Sequence, residues 1–157
     1  MRIWAISDLH LSFAAPKPMD IFGDRWRDHP ERIAARWRKL VAEDDIVLLA
    51  GDDSWGLRLP AALPDLRWIA ALPGHKVLTK GNHDYWWDDA RRLLRRQGQP
   101  GVPEFPQSLT LVEAEAVECQ GWVLCGTRAW VTPGHQLFKP ETDERIYKRE
   151  LGRLERA

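Results

Sequence analysis

Asp45-Ile46-Val47-Leu48-Leu49-Ala50-Gly51-Asp52-Asp53 sets five apolar residues in a row and then switches abruptly to a glycine and two carboxylates. An unbroken apolar run, unlike an alternating one, marks a strand covered on both faces, as parallel sheets require. The same shape recurs on either side. Upstream, Arg2-Ile3-Trp4-Ala5-Ile6 predicts a buried strand that runs into Ser7-Asp8-Leu9-His10. Downstream, Lys76-Val77-Leu78-Thr79 predicts a short strand that runs into Gly81-Asn82-His83-Asp84. Helical patterns separate the three. Pro30, Ile33, Ala34, Trp37, Leu40 and Val41 share one helical face, with arginines opposite. Leu63, Leu66, Ile69 and Ala70 predict a second helix that opens near Pro64 and closes at Pro73-Gly74. Alternating strands and helices with right-handed crossovers make a parallel sheet, so all three polar clusters arrive at one edge. Open α/β sheets place their ligands at that edge.

Outside this unit the signals are weaker. Residues 11–29 hold Pro16, Pro18 and Gly23 without a sustained period, which predicts a surface loop long enough to lie over a site. Asp88-Asp89 is expected to cap a third helix carrying Leu93 and Leu94. A Pro/Gly-rich connector spans 98–106. Residues 109–112, 116–119 and 122–125 read as strands, with Gln120-Gly121 as a two-residue hairpin turn. That turn pairs Cys119 with Trp122 and points Cys119 and Cys125 to opposite faces, against a disulfide between them. Thr142 to Arg156 reads as a charged helix with Ile146, Leu151 and Leu154 as a narrow apolar stripe.

The chain has 157 residues and a formal net charge of zero, with 44% hydrophobic and 29% charged residues. That composition suits a soluble globular domain and lacks the signature of disorder. Neutrality gives no general attraction to nucleic acid or to an anionic membrane. No apolar stretch has the length of a membrane span or of a signal region, so a cytoplasmic protein is expected. Two cysteines are too few for a disulfide framework. Nine tryptophans are the one oddity. Core packing accounts for most of them, although Trp55, Trp86 and Trp87 adjoin the polar clusters. Arg91, Arg92, Arg95 and Arg96 read as a solvated helix face, and His29 and His75 have no companion ligands nearby in sequence.

The three clusters carry the chemistry. Asp8 and His10 lie two apart, which sets a carboxylate and an imidazole on one side of an extended backbone. Gly51, lacking a side chain, would let the backbone at Asp52 approach a bound group closely. Asp53 reads as a turn residue. Asn82 offers a neutral carbonyl oxygen, and Asp84 beside His83 is suited to orient its imidazole. Each pair alone could be a capped turn. Together, two carboxylates, an imidazole and an amide oxygen form a hard-to-borderline donor set for Mn, Fe, Zn or Mg.

Asp8-Leu9-His10, Gly51-Asp52 and Gly81-Asn82-His83-Asp84, in that order and each after a strand, resemble the calcineurin-like metallophosphoesterases. Residues 51–55 and 80–87 extend the likeness to a bacterial branch of predicted phosphohydrolases. The resemblance implies an αββα sandwich, with residues 1–157 as the N-terminal portion of a single domain. It implies a two-metal hydrolase in which Asp8 and His10 hold one cation, Asn82 the other, and Asp52 bridges them. A metal-activated water would then attack a phosphomonoester or phosphodiester in line. His83 would stand over the leaving-group oxygen, with Asp84 holding its tautomer.

The family completes its metal shells with a further histidine and a late Gly-His-x-His motif. After Trp130 this sequence has only His135, in Pro133-Gly134-His135. The expectation is therefore a C-terminally incomplete fold, a weak or absent second cation, and an uncovered strand edge that a homodimer or a completing partner would cover. The substrate expected is a small phosphoester, with no membrane partner and no support for nucleic acid. A rival reading makes the chain a catalytically impaired remnant that binds a metal or phosphate and acts as an interaction module.

Overall fold

The computed structural model describes every residue from Met1 to Ala157, in two compact units, Met1–Leu111 and Val112–Ala157. The first unit alternates as predicted: β1 (Ile3–Ile6), α1 (His29–Leu40), β2 (Ile46–Leu49), α2 (Leu59–Ala70), β3 (His75–Thr79) and α3 (Trp87–Leu94). With β4 (Leu109–Val112) the strands form one sheet in the order β1-β2-β3-β4. β2 pairs in parallel with both β1 and β3, Val47 standing level with Trp4 and Lys76. The C-terminal ends of these three strands therefore share an edge, which follows from parallel pairing alone.

The sequence predicts a buried β1, and here the structure differs. β1 is the edge strand, and Ile3 and Ala5 are exposed while Trp4 and Ile6 are half-buried. Central β2 is buried at Ile46, Val47 and Leu49, as its unbroken apolar run requires. A cavity of about 620 Å³ opens beside β1, between Trp4 and Ile6 and the α1 residues Ile33 and Trp37.

α2 begins five residues before Pro64, at Leu59 with Pro60 in its first turn, and Pro64 lies inside it. The helix tolerates this because Pro60 supplies a start and the missing Pro64 N–H removes a single early bond. Its far end is closed by Lys76, buried on β3, whose ammonium donates to the carbonyls of Ala70, Leu72 and Gly74 at 3.1, 2.5 and 2.8 Å. α3 starts at Trp87 after Trp86, so Asp88 and Asp89 sit within its first turn and favour the positive helix end without capping it. Trp86 and Trp87 are fully buried in the core with Leu9, Leu11, Leu66 and Leu78.

The second unit contains β5 (Glu115–Cys119), β6 (Trp122–Gly126) and α4 (Pro140–Arg156). Gln120 and Gly121 both have positive φ, 52° and 79°, as a primed hairpin turn demands, and Cys119 pairs with Trp122. Cys125 pairs with Ala116, and both cysteines are free thiols. Glu150, buried on α4, accepts from the Thr127 hydroxyl at 2.7 Å and pairs with Arg149 and Arg153. No helix is long and apolar enough to cross a membrane.

Candidate metal centre

The chain leaves β1 through two residues in the left-handed region, Asp8 at φ 57° and His10 at 46°, and leaves β2 through Asp52 at 57°. Left-handed backbone is costly for residues with a side chain and concentrates at functional sites. The two excursions are matched. Asp8 N–H donates to the Gly51 carbonyl at 2.9 Å, His10 N–H to Asp52 at 3.0 Å and Leu11 N–H to Asp53 at 3.0 Å. Trp55 N–H returns a bond to Leu11 at 2.8 Å. This ladder, and not an extended strand, brings Asp8 and His10 to face Asp52. One ligand atom from each of Asp8, His10 and Asp52 lies within 4.8 Å of the others.

The second and third loops meet at their glycines. A Cβ on Gly51 would fall 2.5 Å from Gly81 Cα, and one on Gly81 would overlap Asp52 N and Oδ1. The close approach expected of Gly51 is thus to another loop and not to a ligand. Gly51 also has φ 95°, which only glycine adopts without strain. Across this contact His83 N–H donates to Asp52 Oδ1 at 2.8 Å, fixing the carboxylate at the centre of the cluster. Asn82 sits exposed in the turn between Gly81 and His83.

Asp84 differs from expectation. Its carboxylate, 1% exposed, accepts from the backbone N–H groups of Asp52, Asp53, Ser54 and Gly81 and from Trp86 Nε1. The His83 ring is not among its donors. Instead that ring lies 4.6 Å from Trp55, 5.8 Å from His10 and 6.3 Å from Tyr85. The expected grip of Asp84 on the His83 tautomer gives way to a grip on loop backbone, because five N–H donors converge on this buried carboxylate and buried N–H groups need an acceptor. Burial pushes the Asp84 carboxyl up, and the Gly81, Asp52 and Ser54 amides pull against that.

Asp53, expected as a turn residue, is fully buried, and neither carboxylate oxygen has a hydrogen-bond partner. Burial first, then the charges of Asp84, Asp52 and Asp8, push its carboxyl well above the usual range. Burial likewise lowers the His10 pKa, although Asp52 and Asp8 oppose it, which favours the neutral imidazole that a metal needs. His29, given no role from sequence, is structural: its Nδ1 lies 3.1 Å from the Trp26 carbonyl and its Nε2 3.0 Å from the Leu9 carbonyl, so the ring nitrogen that carries the proton donates to backbone with either tautomer.

Sequence reasoning missed Lys17, Met19 and Asp65. Lys17 Nζ lies 3.1 Å above the Trp55 ring, and Trp55 Nε1 donates to Met19 Sδ at 3.4 Å. The 11–29 loop therefore does reach the site, with 3₁₀ turns at Asp20–Phe22 and Asp24–Trp26. Asp65 on α2 accepts from Phe13 N–H at 2.8 Å and from the Ser54 hydroxyl at 2.5 Å, joining that loop to the segment after Asp52. An acid on a helix face otherwise read as apolar was the one sequence signal for it.

Residues 1–150 match the family model of the calcineurin-like phosphoesterases. The chain belongs to this family. Its four-stranded parallel-type sheet with flanking helices is compatible with the metallophosphoesterase fold, and the family is metal-dependent, in keeping with the Asp8, His10 and Asp52 cluster. The chain is 38% identical over 99 residues to the Gene 66 protein of Mycobacterium phage D29, a match covering 60% of this chain and 47% of that one. It is 35% identical over 81 residues to the Gene 66 protein of Mycobacterium phage L5, covering 52% and 39%. These matches span less than half the length of either relative. It is also similar to the crystal structure of AQ665 from Aquifex aeolicus, titled a protein of unknown function, with a TM-score of 0.49 and 18% identity over 96% of this chain and 72% of that one.

Proposed function

We propose that this member of the family hydrolyses a small phosphomonoester or phosphodiester with the aid of a divalent cation held by Asp8, His10 and Asp52. The observation that carries this reading is the convergence of those three side chains from two strand ends, at the cost of three left-handed residues. The donors fit the group: two carboxylates and a buried imidazole suit Mn, Fe, Zn or Mg. When bound, such a cation supplies Lewis-acid stabilisation of phosphoryl charge and acidifies water.

The chain's own residues do the rest. Asp52 is held by the His83 amide so that its carboxylate stays at the cluster. Asn82, exposed on the neighbouring loop, is the donor we assign to a second cation. The His83 imidazole, bordered by Trp55 and Tyr85, is the group we assign to give a proton to the leaving oxygen. Asp84 acts through backbone, holding the Asp52 and Gly81 loops together.

The test is Mn²⁺-dependent hydrolysis of an aryl phosphodiester, beside Mn²⁺ binding by calorimetry. Asp52→Asn is expected to lose both binding and turnover. His83→Ala is expected to keep Mn²⁺ and lose about 10²–10⁴ in rate, the usual span for a general acid. Mn²⁺ binding without turnover in the wild type would leave the metal-binding interaction module as the better reading. No binding at all would refute the assignment.

A further inference from the structure

Neither ring nitrogen of His10 has a hydrogen bond that fixes the ring. Nδ1 is buried without a partner, and Nε2 stands 3.6 Å from Asp8 Oδ1, beyond hydrogen-bond reach. A histidine that ligates a metal ordinarily has its ring set by a bond from the other nitrogen to a carboxylate or carbonyl. His10 has an aromatic face instead. Its ring lies 4.7 Å from that of Trp55 with only 18° between the planes, a stacked arrangement, while Trp26 borders it at 6.1 Å and 57°.

Trp55 is itself held from several sides. Its backbone N–H reaches the Leu11 carbonyl, its indole N–H reaches Met19 Sδ, and the Lys17 ammonium sits over its ring. The turn that carries Lys17 is closed by its own N–H on the Ser12 hydroxyl at 3.1 Å. The same indole lies against the His83 ring. One side chain therefore touches both imidazoles of the site and is anchored by a loop that supplies no ligand.

We propose that Trp55 is a positioning residue that orients His10 for the metal by stacking, in place of the missing hydrogen bond, with Lys17 and Met19 holding the indole. This rests on the reading of Asp8, His10 and Asp52 as metal ligands. Stacking leaves Nε2 turned towards Asp8 and restrains the ring against rotation about its bonds. A planar face is what the role requires, so the indole nitrogen is secondary.

The experiment titrates the full chain with Mn²⁺ by calorimetry and records the visible absorption of the Co²⁺ form, comparing wild type with Trp55→Phe, Trp55→Leu and Lys17→Met. Urea midpoints establish that each variant is folded. Trp55→Phe, which keeps a face, is expected to bind Mn²⁺ close to wild type with an unchanged Co²⁺ spectrum. Trp55→Leu keeps bulk without a face and is expected to weaken binding about 10–100-fold, the usual cost of losing an outer-shell partner, and to shift the spectrum. Lys17→Met, at an exposed residue that leaves the core untouched, is expected to weaken Mn²⁺ about two- to fivefold, as the loss of a surface cation–π contact would. A Leu variant that binds as tightly as wild type, or a Phe variant as weak as Leu, overturns the role of stacking while the metal site stands. A wild-type chain that binds no Mn²⁺ overturns the ligand reading and this one with it.

Discussion

Replacing Asp84 by Asn separates a chemical role on His83 from an architectural role on the loops. The carboxylate oxygens divide five donors between them, Oδ2 taking Asp52 and Gly81 N–H, and Oδ1 taking Asp53 and Ser54 N–H with Trp86 Nε1. An amide has one oxygen. Whichever way the Asn is turned, its NH₂ group faces at least two N–H donors that can find no other acceptor. Each buried donor left unsatisfied costs about 1–3 kcal/mol, so the variant should lose about 2–6 kcal/mol. The lower end is favoured, because burial already penalises the charged carboxylate and a neutral amide escapes that penalty. Even 2 kcal/mol is a large share of the roughly 5–15 kcal/mol that holds a domain together. Urea denaturation of the metal-free protein measures the loss directly. Mn²⁺ affinity should fall alongside, because the released backbone carries Asp52. If Asp84→Asn unfolds at the wild-type urea concentration and binds Mn²⁺ normally, yet loses turnover, the loop-clamping account is refuted and Asp84 acts on His83 after all.

Two further outcomes follow from the geometry. Gly81→Ala sets a methyl group against Asp52 N and Oδ1 and should cost about 1–3 kcal/mol, as overpacking does, with weakened Mn²⁺ binding in calorimetry. Unchanged affinity would show that the loops can separate without disturbing Asp52. Asp45 accepts bonds from Ala42 N–H, the Trp4 indole and Arg2 N–H, and these hold its carboxyl below the usual 3.8. Because its pKa is lowered on folding, its stabilisation is present in full above 3.8 and is lost as pH falls through the folded-state value. The stability gap between wild type and Asp45→Asn should accordingly be constant near neutrality and close only in acid. A gap that persisted undiminished at the acid end would contradict the assignment.

The family, the order of elements and the three loops that build the site were legible in the chain itself. Apolar runs, helical spacing and the Gln120-Gly121 turn are local features, and local rules sufficed even for the pairing of Cys119 with Trp122. The residues Asp8, His10 and Asp52 were legible too, since parallel strands must end together. Tertiary structure decided how these pieces engage. Asp84 reaches 32 residues back to the Asp52 amide, Gly51 abuts Gly81, and Trp55 takes its place between the loop at Lys17 and the two imidazoles. None of these has a period or a neighbour that announces it. The exposure of β1 belongs with them, because whether an apolar strand is buried depends on which strands lie beside it. A sequence determines where backbone turns polar; only the folded chain determines which of the donors gathered there face one another and which are spent holding the others in place.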